Sequence, residues 1–300
     1  MLHRLQTEFS RFLHGQTCAG IRSTAPLEIK DSDLRILSMV SHRDLLMYLV
    51  AVKSFYREVG EGRMVVVDDG SLTAEDHALL EQQLGGPEVY RLPDIDVGHC
   101  PRGGCWERLL TVVRLTREHY VIQLDSDTLT KGPVPEVIEA VKTNRSFALG
   151  TRMGQKVIPV AEASALVEDI ESDHVQVVAE RHFRDLRDSE NLRYIRGSAG
   201  FSGFARGGTT VAWVEDLSRQ MQDRIGAKWT EWGSEQAMSN LVVANSPDAR
   251  VLPYPRYANY DLDMDPEAAV FLHFIGSFRY DRGVYRQESR RVVERQGRAA

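Results

Sequence analysis

Two aspartates at alternate positions, Asp125 and Asp127, follow the mostly apolar run Val121-Ile-Gln-Leu124 with no turn signal between. A strand that stops on such a pair delivers both carboxylates to the mouth of a sheet. There they can share a divalent cation, because hard oxygen ligands suit Mg2+ or Mn2+. The same tripeptide also reads as an Asx-rich turn closing a strand. Other groups bear on the choice. His273 ends the apolar run Val270-Phe-Leu-His and can serve as a third ligand. Gly276 lets backbone come close to a ligand, and Arg279 can neutralise a phosphate. Asp68-Asp69-Gly70-Ser71 closes another strand-like run. It can bind the edge of a base or ribose hydroxyls, or be a plain turn with Ser71 or Thr73 as helix cap. Arg108 sits on a helix and either reaches over strand ends towards a phosphate or lies exposed on an amphipathic face. Glu235 and Gln236 open a helix behind Ser234; they suit the helix dipole, and can equally hold sugar hydroxyls or act near a reacting carbon. His99, Cys100 and Cys105 offer neither a fourth ligand nor a standard zinc spacing.

The elements that must position these groups alternate in type. Strands are expected at Leu34–Val40, Met64–Val67, Val89–Leu92 and Val121–Leu124, with helices at Asp44–Tyr56, Ala74–Gln83, Cys105–Glu118 and Val134–Val141. Such alternation predicts a mostly parallel sheet with helices on both faces, whose ligands gather beyond the carboxyl ends of the strands. The second half carries a strand at Phe147–Gly150, a largely helical stretch Ala161–Asp188 and the glycine-rich run Arg196–Gly208. Helices over Thr210–Ile225 and Ser234–Ala244 and short strands at Arg250–Pro253 and Val270–Phe274 follow. With no internal repeat or low-complexity linker, this half extends the same domain. The expected boundaries are an N-terminal helical extension (1–33), the main domain (34–279) and a basic tail (280–300).

At 300 residues, 42% apolar and 27% charged, the composition is that of an ordinary soluble globular protein. A net charge of −6 gives no whole-molecule reason to expect nucleic acid. Three cysteines are too few for a disulfide framework and fit a reducing compartment. No apolar run approaches the roughly 20 residues that span a bilayer. Met1 to Leu13 carries Leu2, Leu5, Phe9, Phe12 and Leu13 at helical spacing, but Arg4, Glu8 and Arg11 interrupt it. It therefore reads as an amphipathic helix packed on the domain rather than a signal peptide. The arginine-rich tail, from Arg279 to Arg298, reads as a solvated helix with at most weak contact with anionic lipid. A cytoplasmic protein with at most peripheral membrane contact is the expectation.

In order, these pieces resemble a nucleotide-sugar glycosyltransferase of the GT-A fold, specifically family 8, over Leu34 to Arg279. The resemblance rests on Ala51-Val-Lys-Ser54, Trp106-Glu-Arg-Leu-Leu110, Leu124-Asp-Ser-Asp127, Gly197-Ser-Ala-Gly-Phe201, Glu235-Gln236 and His273-Phe-Ile-Gly-Ser-Phe-Arg279. It implies an α/β, Rossmann-like GT-A fold, with a mixed, mainly parallel sheet flanked by helices in a single large domain. By the same resemblance, Asp125, Asp127 and His273 bind Mn2+ (or Mg2+), which bridges the diphosphate of a UDP-sugar. Arg108, Ser41, Asp68, Asp69 and Ser126 contact the donor, and Ser198, Ala199 and Gly200 line the sugar pocket. Glu235 and Gln236 face the transferred sugar as the catalytic pair, while Gly276 and Arg279 close on the diphosphate. The acceptor, whether glycan, lipid-linked, small molecule or protein, is not identified.

The chain departs from the family at several of these positions. Ser41-His42-Arg43 stands where aspartates are usual, Ser198 where asparagine is, Glu235 where aspartate is, and Arg279 where lysine is. Val67-Asp-Asp-Gly-Ser71 is more similar to family 2, whose members invert, so retention and inversion both stay open. Asp125 to Thr130 also resembles the first motif of haloacid-dehalogenase-like phosphatases, with Asp125 as nucleophile and Asp127 as general acid. That fold begins its domain with this strand, whereas here a long α/β region precedes it. A non-catalytic nucleotide-binding protein is the remaining alternative.

Overall fold

Runs of aliphatic and β-branched residues form the central strands of the computed structural model, which describes residues 2–152 and 154–297. Met1 and Arg298, both included in the expectations for the termini, lie outside the described residues. In chain order the elements begin with α1 (Leu2–Ala19), β1 (Leu34–Val40), α2 (Leu45–Val59), β2 (Arg63–Asp68), α3 (Ala74–Leu84) and β3 (Glu88–Arg91). They continue with α4 (Trp106–Leu115), β4 (Tyr120–Leu124), β5 (Thr128–Thr130), α5 (Pro135–Lys142), β6 (Phe147–Gly150), β7 (Ile158–Pro159), α6 (Val160–Leu166) and α7 (Val175–His182). The last are β8 (Arg193–Tyr194), β9 (Gly197–Phe204), α8 (Val211–Ile225), α9 (Ser234–Ala244), β10 (Arg250–Val251), β11 (Tyr257–Asn259), β12 (Phe271–His273) and α10 (Val284–Gly297).

The main sheet has seven strands in the order β10-β6-β9-β4-β1-β2-β3. Pairings β1/β2, β2/β3 and β10/β6 are parallel, and β6/β9 is antiparallel, so the sheet is mixed and mainly parallel, as expected. The order β3-β2-β1-β4 is that of a Rossmann-like half, with Asp68 as the last residue of β2 and Asp125 the first beyond β4. A three-stranded sheet, β11-β12-β5, and the two-stranded pair β7-β8 complete the strands.

Contacts divide the chain into two compact units that alternate along the sequence. The first takes residues up to Arg91, Leu124–Pro135 and everything from Pro255; the second takes Leu92–Gln123 and Glu136–Tyr254. In the first unit, Ile36, Leu37, Val65, Val66 and Val67 lie fully inside, with Leu49, Val52 and Phe55 of α2 equally buried. Lys53 on α2 is also wholly buried; its ammonium donates to the Thr24 hydroxyl at 2.9 Å, the Ala25 carbonyl at 2.7 Å and the Gln83 side-chain carbonyl. That clamp ties the segment before β1 to α2 and α3. Helix α1 buries His14 and Cys18 while Phe9 and Phe12 face solvent. Its partner is α10, whose Tyr285, Ser289 and Val292 are buried, so the arginine-rich tail is docked along one face rather than solvated all round.

The second unit holds the main surprise for pattern reading. The glycine-rich run after Arg196 is the eight-residue strand β9, buried along its whole length. A Cβ on Gly203 would stand 2.3 Å from Phe147 Cε1 and 2.4 Å from Tyr120 Oη. Glycine is there because those two rings occupy the space a side chain would need. The stretch expected to be largely helical from Ala161 to Asp188 is two short helices, α6 and α7, separated by residues 167–174.

Candidate functional site

β4 hands the chain directly to Asp125, and in the first unit β5 then folds back antiparallel to β12, pairing Thr128 with His273. The Phe274 N–H donates to the Asp127 carbonyl at 2.8 Å, which fixes the aspartate loop against the end of β12. This register brings one oxygen each of Asp125 and Asp127 and an imidazole nitrogen of His273 within 4.8 Å of one another. Among the described residues, no other group of three His, Cys, Asp or Glu comes together this way, so the His99-Cys100-Cys105 region builds no such site. His273 Nε2 lies 3.2 Å from Asp127 Oδ1 and 4.0 Å from Asp125 Oδ2. On the far side of the ring, Nδ1 is 2.9 Å from Asn259 Oδ1. An amide oxygen only accepts, so Nδ1 carries a hydrogen, and Nε2 is the ring nitrogen that faces the carboxylates. Adjacent ligands of an octahedral ion with bonds of about 2.1 Å sit about 3 Å apart, so this donor set fits a divalent cation. Sequence reasoning did not include Asn259, which lies on β11 and is brought beside His273 only by the β11/β12 pairing.

Arg279 completes the group. Its Nη2 makes a close ion pair with Asp127 Oδ2, and its Nε donates to the Phe274 carbonyl at 2.8 Å. Burial works to raise the Asp127 carboxyl, but the His273 and Arg279 charges outweigh it and hold it below the usual carboxylate value. Gly276 adopts a left-handed φ of +53° at the turn between β12 and Arg279. Ser126 is half-buried, and its carbonyl accepts from the Tyr285 hydroxyl at 3.4 Å.

The loops after β1 and β2 lie side by side, because the His42 N–H donates to the Ser71 hydroxyl at 2.9 Å. Within them, the turn reading describes the local bonds well. Ser41 Oγ donates to Asp44 Oδ2 at 2.9 Å and accepts from the Asp44 N–H at 3.2 Å. Asp68 Oδ1 accepts from the Gly70 N–H at 2.8 Å, while Oδ2 faces His77 Nε2 at 3.2 Å. Asp69 is exposed and accepts from the Ser71 N–H at 2.9 Å. Thr73, not Ser71, caps α3, in a reciprocal box with Asp76 whose signal, Thr-x-x-Asp, was present in the sequence. Asp76 also meets His42 Nδ1 at 2.6 Å.

The second unit gathers the remaining predicted residues around the start of α9. Trp106 of α4 donates its indole N–H to Ser234 Oγ at 2.9 Å, and Arg108, two residues on, pairs with Glu235 at 3.1 Å. Both charged side chains are almost fully buried, so Arg108 is neither an exposed surface arginine nor a free arm. Gln236 Oε1 accepts the Ala199 N–H at 3.2 Å, and Gln236 Nε2 donates to Gln176 Oε1 at 2.8 Å. Ser198 is buried beside them, with its hydroxyl 3.4 Å from the Gly200 N–H. The structure thus brings together Arg108 with Glu235, and Gln236 with Ala199. Gln176 and its neighbour Glu180 were not predicted; they lie on α7, where no local pattern marks them.

No family model and no curated protein matches the chain. Solved structures do. The glycosyltransferase GlyE of Streptococcus pneumoniae TIGR4 is similar with a TM-score of 0.52 and 13% identity, over 87% of this chain and 62% of that one. An active-site mutant of LgtC is similar with a TM-score of 0.50 and 14% identity, over 87% of this chain and 95% of that one. The bifunctional glycosyltransferase WbbM is matched over 88% of this chain and 52% of its own, at 13% identity and a TM-score of 0.46. The chain therefore spans about half the length of that protein. At these identities the likeness speaks for architecture, and the architecture is the GT-A fold.

Proposed function

We propose that this chain is a metal-dependent glycosyltransferase that moves a sugar from a nucleoside diphosphate donor, a UDP-sugar, to an acceptor, with retention at the transferred carbon. The observation that carries this reading is the Asp125–Asp127–His273 donor set at the end of a central strand of a GT-A sheet. Two carboxylates and one imidazole suit Mn2+, with Mg2+ the close alternative. The ion would be held by those three side chains and would supply charge stabilisation for the departing diphosphate. Arg279 and the Gly276 turn would add a cation and close backbone approach to the same leaving group. The paired loops at Ser41 and at Asp68 and Asp69 offer the acceptors for base and ribose, with Ser126 beside the metal set. In the second unit, Ser198, Ala199 and Gly200 would line the sugar pocket, Arg108 would contact the donor, and Glu235 with Gln236 would face the transferred sugar.

The test is Mn2+-dependent hydrolysis across a panel of UDP-hexoses, with Asp127→Ala as the diagnostic variant. The variant is expected to lose the metal-dependent rate, and hydrolysis unchanged from wild type would sink the metal assignment. The anomer of the released or transferred sugar, read by NMR, separates retention from inversion. Turnover of phosphate esters with no nucleotide sugar present would favour the dehalogenase-like phosphatase. Mn2+-dependent UDP binding without any turnover would mark a nucleotide-binding protein instead.

A further inference from the structure

We infer that Glu180 and Gln176 are positioning residues that set the sense of the Gln236 side-chain amide, holding its oxygen on the Ala199 N–H. This rests on the reading that Gln236 faces the transferred sugar. Glu180, on α7, is fully buried, and its Oε1 receives three donors: Gln176 Nε2 at 3.0 Å, Tyr194 Oη at 2.9 Å and Arg196 Nε at 3.2 Å. Burial raises the Glu180 carboxyl, but the Arg196 Nε–H can only donate, so Oε1 is held as an acceptor and Gln176 turns its NH2 group towards it. The carbonyl oxygen of Gln176 then points the other way, 2.8 Å from Gln236 Nε2. That contact in turn requires Gln236 to present its NH2 group to Gln176 and its own oxygen to the Ala199 N–H, 3.2 Å away.

The row of groups has a donor at one end and an acceptor at the other, so its sense is fixed. The backbone N–H of Ala199 cannot accept, and Glu180 Oε1, facing the Arg196 Nε–H, cannot donate. Reversing Gln236 would set two donors against each other at Ala199 and two acceptors against each other at Gln176. Both ends are also held from behind. The Ala199 carbonyl accepts from the Gln123 side chain, and Arg196 supplies the countercharge to Glu180. The starts of α7 and α9 lie so close that a Cβ on Gly233 would stand 3.1 Å from His174 Cε1 and 3.2 Å from Val175 Cγ1. Gly233 also sits at a φ of +106°, so glycine is needed there on both counts. Gln236 itself is half-buried, which leaves the amide reachable while its orientation is dictated from the interior. A group that must meet a developing charge on a sugar works only if the correct atom faces it, since amide oxygen and amide NH2 have opposite polarity.

The experiment follows the glutamine side-chain amide signals by 15N-edited NMR, assigned from their loss in Gln236→Ala and Gln176→Met. Glu180→Gln keeps shape but removes the acceptor-only end, so the sense of the row is held from the Ala199 N–H alone. The expected result is that both the Gln176 and Gln236 signals shift or double in Glu180→Gln. With a UDP-hexose that wild type hydrolyses, kcat is expected to fall about tenfold to a hundredfold while KM for the donor stays within about twofold. Gln176→Met, which cuts the row at its middle, is expected to give the same split between kcat and KM and serves if Glu180→Gln unfolds. Unmoved Gln236 signals in Glu180→Gln overturn the inference, and so do moved signals with an unchanged kcat. Absence of wild-type turnover on every UDP-hexose overturns the proposed function instead, and the amide signals then decide the row by themselves.

Discussion

Arg279 occupies the carboxylate that a cation would also claim, and that competition can be measured. Its guanidinium pairs with Asp127 Oδ2, with the two side chains 23% and 11% exposed. A charge-assisted bond at this depth, discounted for the exposed part of the arginine, contributes about 1.5 kcal/mol. A cation binding to Asp127 must offset that pairing, and the positive guanidinium opposes it in the same direction. At about 1.4 kcal/mol per decade, the pairing weakens metal binding about tenfold. Arg279→Met keeps the apolar stem and removes the charge, while His273 stays beside Asp127 at 3.2 Å. Calorimetric titration of MnCl2 into nucleotide-free protein should therefore show binding about tenfold tighter than wild type. On the proposed function, turnover of a UDP-hexose should move the opposite way, because the cation that reading assigns to the diphosphate has been lost. Equal or weaker Mn2+ binding in a folded Arg279→Met protein would refute the competition and detach Arg279 from the metal set.

His14 provides a pH test away from that centre. Burial, with Arg279 and Arg286 nearby, lowers its pKa from 6.5 to about 4. The unfolded chain therefore takes up the proton first as pH falls, and stability should drop by about 3 kcal/mol between pH 6.5 and 4. Urea midpoints across this range should lose that portion of their slope in His14→Gln. Gly203→Ala should destabilise by about 3 kcal/mol, because the new methyl has nowhere to go between Phe147 and Tyr120; a wild-type urea midpoint in that variant would contradict the packing.

What the sequence made legible and what it hid follow from the range of the interactions. The strand into Asp125 was readable because three of the four residues before it are aliphatic with no turn signal between, and α9 because Ser234 begins it and helical spacing carries it to Ala244. His273 could be recognised as a strand end, so the metal set was visible before its geometry. Strand β9 was not, since a glycine-rich run shows no strand pattern, and the reason for Gly203 is the bulk of Phe147 and Tyr120 beside it. Three-residue strands such as β5 and β11 are too short to establish a period of two. The Arg108–Glu235 pair joins residues 127 positions apart, and nothing local to either position announces the other. The same holds for Asn259 behind His273 and for Glu180 behind Gln236. Residues that touch a ligand tend to fall in recognisable motifs, whereas those that orient them are chosen by packing.

The alternation of the two units along the chain has a consequence for biosynthesis. Asp125 and Asp127 are made well before His273, and β5 finds its partner strand only when β12 emerges. A ribosome most of the way through the message therefore carries both aspartates and no third ligand. A chain halted by a premature stop after α9 would lack β12, and with it the His273 that completes the Asp125–Asp127–His273 group.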